Sequence, residues 1–549
     1  MSVSGARLGG LLIVAATLVA GCGRPQLPPA ATPSRTGGTV SATVSREARA
    51  KFLAGALSVL DRLDAFDEAR AYEQVFDRLN QWSRGAAAAD GWRPDPLVAS
   101  LPDRLKPLAR DEALADMAFD ATGDVMALRD ARWLADVSQV ARGSAVDDLA
   151  VAENLFRWTV RSLALVGDPP MVATGANPGG RWFLPGEILL AGRASGAQRA
   201  WVFLELLRQA GLEGVMLATG DAATGSLRPW VPAVLSGGEA YLFEPTYGMP
   251  IPGPGDSGVA TVRQAASDPS ILAGLSLPDR AYPVQADDLA GLTVLVPASP
   301  TALSRRMQLV QQALEGDARM QVAVDASAVA ARAVAALPSG DPQRVGLWEF
   351  PWETLVRRQT ERAALAEAMF KELAVFQVAF TVAASNESRA RGVGVRTVRP
   401  LFTARVREFR GDVDGPDGAK ASYLSARLGR NALSESLRGV PAEQVDTARR
   451  VYEQMKEDAA YWLGVLTLAE GDAATAVDYL ERMTITAAPD SRWTDAARTN
   501  LAAAFVALGR TTDAARLLRE DVSPQRYGSR ILADRLERQA APPAAAALP

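Results

Sequence analysis

The chain has no histidine, a single cysteine at Cys22, and only five lysines (Lys51, Lys106, Lys371, Lys420 and Lys456) among its 59 basic residues. Without histidine it lacks the only side chain whose unperturbed pKa lies near neutrality, so imidazole-based catalysis and imidazole metal ligation are excluded. One cysteine forms no internal disulfide and no zinc knuckle. No metal site and no cofactor are expected. A net charge of −4 lacks the concentrated positive surface that phosphate backbones demand, which argues against nucleic acid as a partner. With 48% hydrophobic residues over 549 positions, the chain is long and apolar enough for several packed domains.

The lone cysteine has a context. Arg7 precedes an apolar run from Leu8 to Ala20, too short to span a bilayer and shaped like a secretory signal. It ends in Val19-Ala20-Gly21-Cys22, which resembles the lipobox of bacterial lipoproteins. That resemblance implies cleavage before Cys22 and acylation of its sulfur, with several chains anchoring the protein firmly because each buried methylene contributes about 0.8 kcal/mol. Gly23 stands where many inner-membrane members carry aspartate, which favours the outer membrane. Arg24 to Thr39 is rich in proline and small polar residues and reads as an extended tether.

Periodicity divides the rest. The expected organisation is a signal peptide over 1–21, a tether over 22–44, a helical region over 45–145, an α+β domain over 146–256, a small α/β lobe over 257–345, helical repeats over 346–540 and a disordered tail over 541–549. In the α+β part, Ala200, Phe203, Leu204 and Leu207 face one side of a helix closed by Gly211. Strands are predicted at Gly214–Thr219, Trp230–Leu235 and Glu239–Phe243, the last two joined through "SGG" as a hairpin. The lobe is predicted from strands at Leu292–Pro297 and Met320–Asp325, each followed by a helix. Near the C-terminus, Leu463, Gly464, Gly471, Ala476 and Leu480 recur as Leu501, Ala502, Gly509, Ala514 and Leu518, each displaced by 38 residues. The pattern resembles the tetratricopeptide repeat, whose usual period is about 34. The helices from Lys420 to Met455 are the place for a degenerate third unit.

The stretch "GRASGAQRAWVFLELLRQAGL" resembles the transglutaminase-like superfamily, a papain-type fold in which a glycine-rich turn leads to a cysteine at a helix start and the helix closes in Leu-Leu-Arg. "RPW" at Arg228–Trp230 and "FEPT" at Phe243–Thr246 stand where that family has a His-x-Trp strand and an Asp-Pro strand end. The likeness spans Asp147 to Gly255, and its catalytic positions depart from the family: Gly196, Arg228 and Glu244 replace nucleophile, base and acid. Glycine offers no nucleophile and arginine accepts no proton at neutral pH. The resemblance therefore implies a pseudoenzyme, and the absence of any other cysteine or histidine excludes thiol chemistry independently.

Four further readings follow. Ser195 beside the lost nucleophile is a helix cap, since no lysine falls between Lys106 and Lys371 to activate it. Arg228 and Glu244 either pair in place of the family's His-Asp contact or are two unrelated surface charges. Trp201 and Trp230 are candidate ligand contacts, with burial in the core as the competing reading. "GDVDGPDG" at Gly411–Gly418 is a turn and not a calcium loop, because Pro416 and Tyr423 occupy ligand positions. The function expected is a lipid-anchored envelope protein that binds a protein or peptide partner. The alternatives are a carboxylate-dependent hydrolase of cell-wall material, drawing on Glu187, Glu205, Glu213, Glu239 and Glu244, and a purely architectural component.

Overall fold

A computed structural model describes residues 46–65, 67–84, 91–167, 180–220, 227–338, 344–383, 395–438 and 440–540. The predicted signal, tether, Cys22 and C-terminal tail lie outside these residues.

The described residues open with helices α1 (Arg46–Leu60) and α2 (Glu68–Ser83), packed on each other, and α3 (Gly123–Arg142) comes later. The break at Gly91–Pro96 is present: Asp95 caps a short turn of helix over Pro96–Ser100. α3 buries Val125, Leu128, Trp133, Leu134 and Val137. Trp133 meets Phe402 and Phe409 of the helix Pro400–Arg410, so the N-terminal helices share a core with the C-terminal ones.

Helices α4 (Asp148–Ser162) and α5 (Gly196–Gln209) lie against a six-stranded sheet. The strands are β1 (Glu213–Thr219), β2 (Arg228–Ser236), β3 (Glu239–Glu244), β4 (Met249–Pro250), β5 (Thr293–Val296) and β6 (Val345–Leu347), in the order β4-β3-β2-β1-β5-β6. All neighbours are antiparallel except β5 and β6. Gly237 and Gly238 take φ of 59° and 79° between Ser236 and Glu239, the two positive values that a two-residue hairpin turn requires. Alternation divides the strands between two cores. Met216, Ala218, Val234, Phe243 and Leu295 join the helices, while Val215, Leu217, Ala233, Leu242 and Val294 join a second core with Leu272, Leu303 and Trp352.

Two expectations are corrected here. The strand at Thr293–Val296 founds no separate sheet. It pairs with β1, and β6 pairs with it, so residues of the expected lobe extend the sheet of the preceding segment. Met320–Asp325 is extended without being a strand; its backbone is tied to Gln209 and Gln311 side chains, and Asp325 caps the helix Ala326–Ala336.

α6 (Glu349–Thr360) then leads into the C-terminal region. That region is not wholly helical, since Phe380–Ala383 and Val395–Val398 form an antiparallel pair. The repeat appears as two helical hairpins. α7 (Val445–Ala469) returns along Ala473–Val477 and its π-helical continuation Asp478–Thr486, and α8 (Thr494–Ala507) returns along α9 (Thr511–Arg519). Gly471 and Gly509 turn each hairpin at φ of 87° and 74°. Gly464 admits Leu480, whose methyl lies 2.8 Å from where a Cβ would stand. Ahead of them, two short helices, Ala419–Ala426 and Arg430–Leu437, take the place expected for a third unit. α10 (Arg526–Ala540) closes the molecule. The whole is a mixed α+β core joined to a helical-repeat-like C-terminal region.

Candidate functional site

The start of α5 is the landmark. Ser195 accepts from the Gln198 backbone at 3.3 Å while the Gln198 side chain accepts from the Ser195 backbone at 3.0 Å, a reciprocal cap that occupies two backbone donors of the helix end. Ser195 is fully buried and serves as that cap. Gly196 is buried beside it.

The C-terminal helices lie over this corner. Gly192 takes φ of 63°, and a Cβ there would fall inside the Trp462 ring. Trp493 stands behind, stacked on Tyr461 at 4.3 Å and edge-on to Trp462 at 5.1 Å. Asn500 of α8 donates to the Arg161 carbonyl at 3.1 Å, and Gly528 of α10 packs on the Tyr247 backbone. The corner at the start of α5 is thus covered by the chain itself, leaving a cavity of about 240 Å³.

Glu244 is buried at the end of β3. It accepts from the Thr246 backbone at 2.9 Å, from the Thr246 hydroxyl, and from the Tyr282 hydroxyl at 2.5 Å; Trp230 in turn donates to Tyr282 at 2.8 Å. Burial raises the pKa of Glu244 despite these donors, and raises that of Tyr282 well above 10. Arg228 is exposed and forms no ion pair with Glu244. The β2–β3 ladder runs only from Ser236↔Glu239 to Ala233↔Leu242, and Arg228 and Glu244 lie beyond its end, where Arg228 pairs with Thr219 instead. Neither reading of this pair holds in full: the two do not bridge, and only Arg228 is a surface charge, Glu244 being buried.

The five glutamates do not converge. Glu187 pairs with Arg358 at 2.7 Å, Glu205 with Arg208 at 2.8 Å, Glu239 with Arg263 at 2.8 Å and Glu213 with Arg332. Glu244 alone has no guanidinium.

The two candidate tryptophans separate. Trp230 spends its N–H on Tyr282, at the sheet. Trp201 is buried, donates to Glu205 at 3.3 Å and packs edge-on against Phe350, yet it also lines a larger cleft of about 480 Å³ between α3, α5 and α6. Of the four acids lining that cleft three are paired, Asp124 with Arg306, Asp130 with Arg129 and Glu205 with Arg208, while the fourth, Asp120, accepts from the Thr122 and Gly123 backbone. Burial raises the pKa of the three paired acids. Glu205 and Asp130 repel each other, but each faces a guanidinium, so neither is a free acid-base group. Among the described residues no cluster of three metal-ligating side chains occurs. In "GDVDGPDG", Lys420 holds Asp414 at 2.9 Å and Arg407 binds the Asp417 carbonyl, as befits a turn.

Sequence reasoning passed over Arg199. It lies one turn into α5, four residues before Phe203, on the inward face. It is 2% exposed and joins α5 to the Pro245 carbonyl at the β3 end, at 2.9 Å. A charge in register with the apolar stripe was the available signal.

No family model, no curated protein and no solved structure matches the chain.

Proposed function

We propose that the protein is a catalytically silent, lipid-anchored scaffold of the cell envelope, in which a transglutaminase-like frame and tetratricopeptide-like helices hold a protein partner. The observation that carries this reading is the covered start of α5: the place of a nucleophile is Gly196, buried behind the Ser195 cap, and the turn that leads to it is covered at Gly192 by Trp462 and Trp493. The ion-paired acids around Trp201 support it, because an acid-base pair needs carboxyls whose protons are free to move. With the old cleft taken by the chain's own helices, partner contact falls to the outer surface of the helical hairpins, where Val506 and Leu508 are 43% exposed at the end of α8. Among the described residues no helix is long and apolar enough to cross a membrane, and attachment in this reading is through the lipid on Cys22, with the outer membrane as the destination.

Photo-crosslinking groups placed at Val506 and Leu508 of the full chain, in envelope membranes, are expected to give one dominant adduct. The double variant Val506→Glu/Leu508→Glu should abolish it without lowering Tm. Absence of an adduct, joined to turnover of a cell-wall substrate that Glu205→Gln or Glu244→Gln removes, would replace the scaffold by a hydrolase.

A further inference from the structure

The cavity of about 240 Å³ at the start of α5 is lined by Arg193, Arg199 and Arg492. A guanidinium carries five N–H groups. Those of Arg199 are spent on neutral oxygens: Nε on the Leu163 carbonyl at 2.8 Å, and Nη1 on the Pro245 carbonyl at 2.9 Å and Gln525 Oε1 at 2.7 Å. Nη2 reaches only the Val160 carbonyl, at 3.5 Å, so one of its hydrogens has no acceptor. Arg193 gives Nη1 to Glu372 at 2.7 Å, while its buried Nε has no acceptor either.

The local charges do not balance. Arg181, Arg193 and Arg492 share Glu372, and Arg492 also holds Asp458. With Arg199 that makes four guanidiniums against three carboxylates, Glu457 also facing Arg492. Asp495, the acid at the cavity rim, is already paired with Arg498 at 2.9 Å. Burial pushes the pKa of Arg199 down to about 9. An arginine nevertheless stays charged at neutral pH; the neutral oxygens around it offset part of the cost of burying it, and an anion would offset more.

We propose that this cavity is a binding site for a carboxylate group on a small apolar body, with Arg199 and Arg193 as the groups that recognise the anion. Val160, Ala164, Val166, Ala496 and Pro524 supply hydrocarbon walls. The volume falls below the 300 to 1,000 Å³ of typical pockets for drug-sized ligands, as suits a short acid or the end of a peptide. The Ser195–Gln198 cap takes two of the backbone N–H groups at the helix end, those of Ser195 and Gln198, which reduces what a phosphate there could use. This site is independent of the scaffold reading and does not need it.

The test is the thermal shift of the full chain at constant ionic strength. Propionate, or a tripeptide with a free C-terminus, should raise Tm by several degrees with a saturating dose response, while propionamide and the amidated tripeptide should not. A response to propionate identifies a small acid as sufficient; a response to the tripeptide acid alone assigns the site to chain termini; either supports the proposal. Ala496→Leu, which fills the rim, should keep the resting Tm and lose the shift; Thr499→Leu on the same rim replaces it if Ala496→Leu lowers the resting Tm. Equal shifts from acid and amide, a shift that survives the filled rim, no shift from either acid, or a response to inorganic phosphate alone would overturn the proposal.

Discussion

The indole of Trp462 occupies the volume that a side chain at position 192 would need, and Gly192 is held there at φ of 63°. This contact is one of several that dock the C-terminal helices on the turn that leads into α5. Gly192→Ala therefore meets two penalties, about 1–2 kcal/mol for a left-handed residue with a Cβ and about 1–3 kcal/mol for overpacking. A loss of about 2–5 kcal/mol is expected in urea unfolding. A change below about 0.5 kcal/mol, the range of an ordinary surface site, would show that the two parts are not docked this way.

Arg228 and Glu244 should behave as strangers. Arg228→Ala removes an exposed side chain with no ion-pair partner and should change stability by less than about 0.5 kcal/mol. Glu244→Ala leaves the Tyr282 hydroxyl and Thr246 without their acceptor and should cost about 1–3 kcal/mol. Similar losses from both, with coupling in the double variant, would restore the bridge.

Glu244 also gives a signed pH dependence. Burial raises its pKa in the folded chain above the unfolded value, so the folded state keeps the proton longer. Its contribution is fully present below the ordinary carboxylate range and is lost as pH rises through the folded pKa. Glu244→Gln imitates the protonated form at every pH. Relative to wild type, the variant should gain stability as pH climbs from about 4 to about 8 in denaturant titrations. A flat difference across that range would mean that Glu244 titrates as an exposed acid.

Asp458 is fully buried beneath Arg492 and Trp493, accepting from the Trp493 N–H at 2.6 Å. Asp458→Ala leaves the Trp493 N–H without its acceptor and takes from the half-buried Arg492 one of its two carboxylates, Glu372 remaining, and should cost about 2–3 kcal/mol. Ser195→Ala, by contrast, removes only a cap and should cost about 1 kcal/mol. Chemical denaturation of the two variants side by side tests the order; the reverse ranking would contradict the packing of this corner.

Cys22→Ser should release the protein from membranes and abolish incorporation of labelled palmitate, with Tm unchanged. Membrane retention of the variant after a carbonate wash would point to another anchor.

What the sequence revealed depended on how local the cause was. The hairpin between β2 and β3 was legible because Gly237 and Gly238 alone fix its turn, and the helical hairpins because Gly471 and Gly509 mark both bends. The continuity of the sheet was hidden. β5 pairs with β1 across some seventy intervening residues, and no short-range pattern encodes which strand it joins. The Arg228–Glu244 expectation depended on how far one ladder extends, and it stops at Ala233↔Leu242. Trp201 and Trp230 were visible as residues, but their indole partners Glu205 and Tyr282 become known only from the fold.

Arg199 takes one of its oxygens from Gln525, 326 positions further along the chain. During synthesis the guanidinium has to remain hydrated, or be shielded by something else, until that glutamine has emerged. The corner at α5 is consequently among the last parts of the molecule to close, and truncation ahead of Gln525 would leave an unfinished interior rather than a shorter protein.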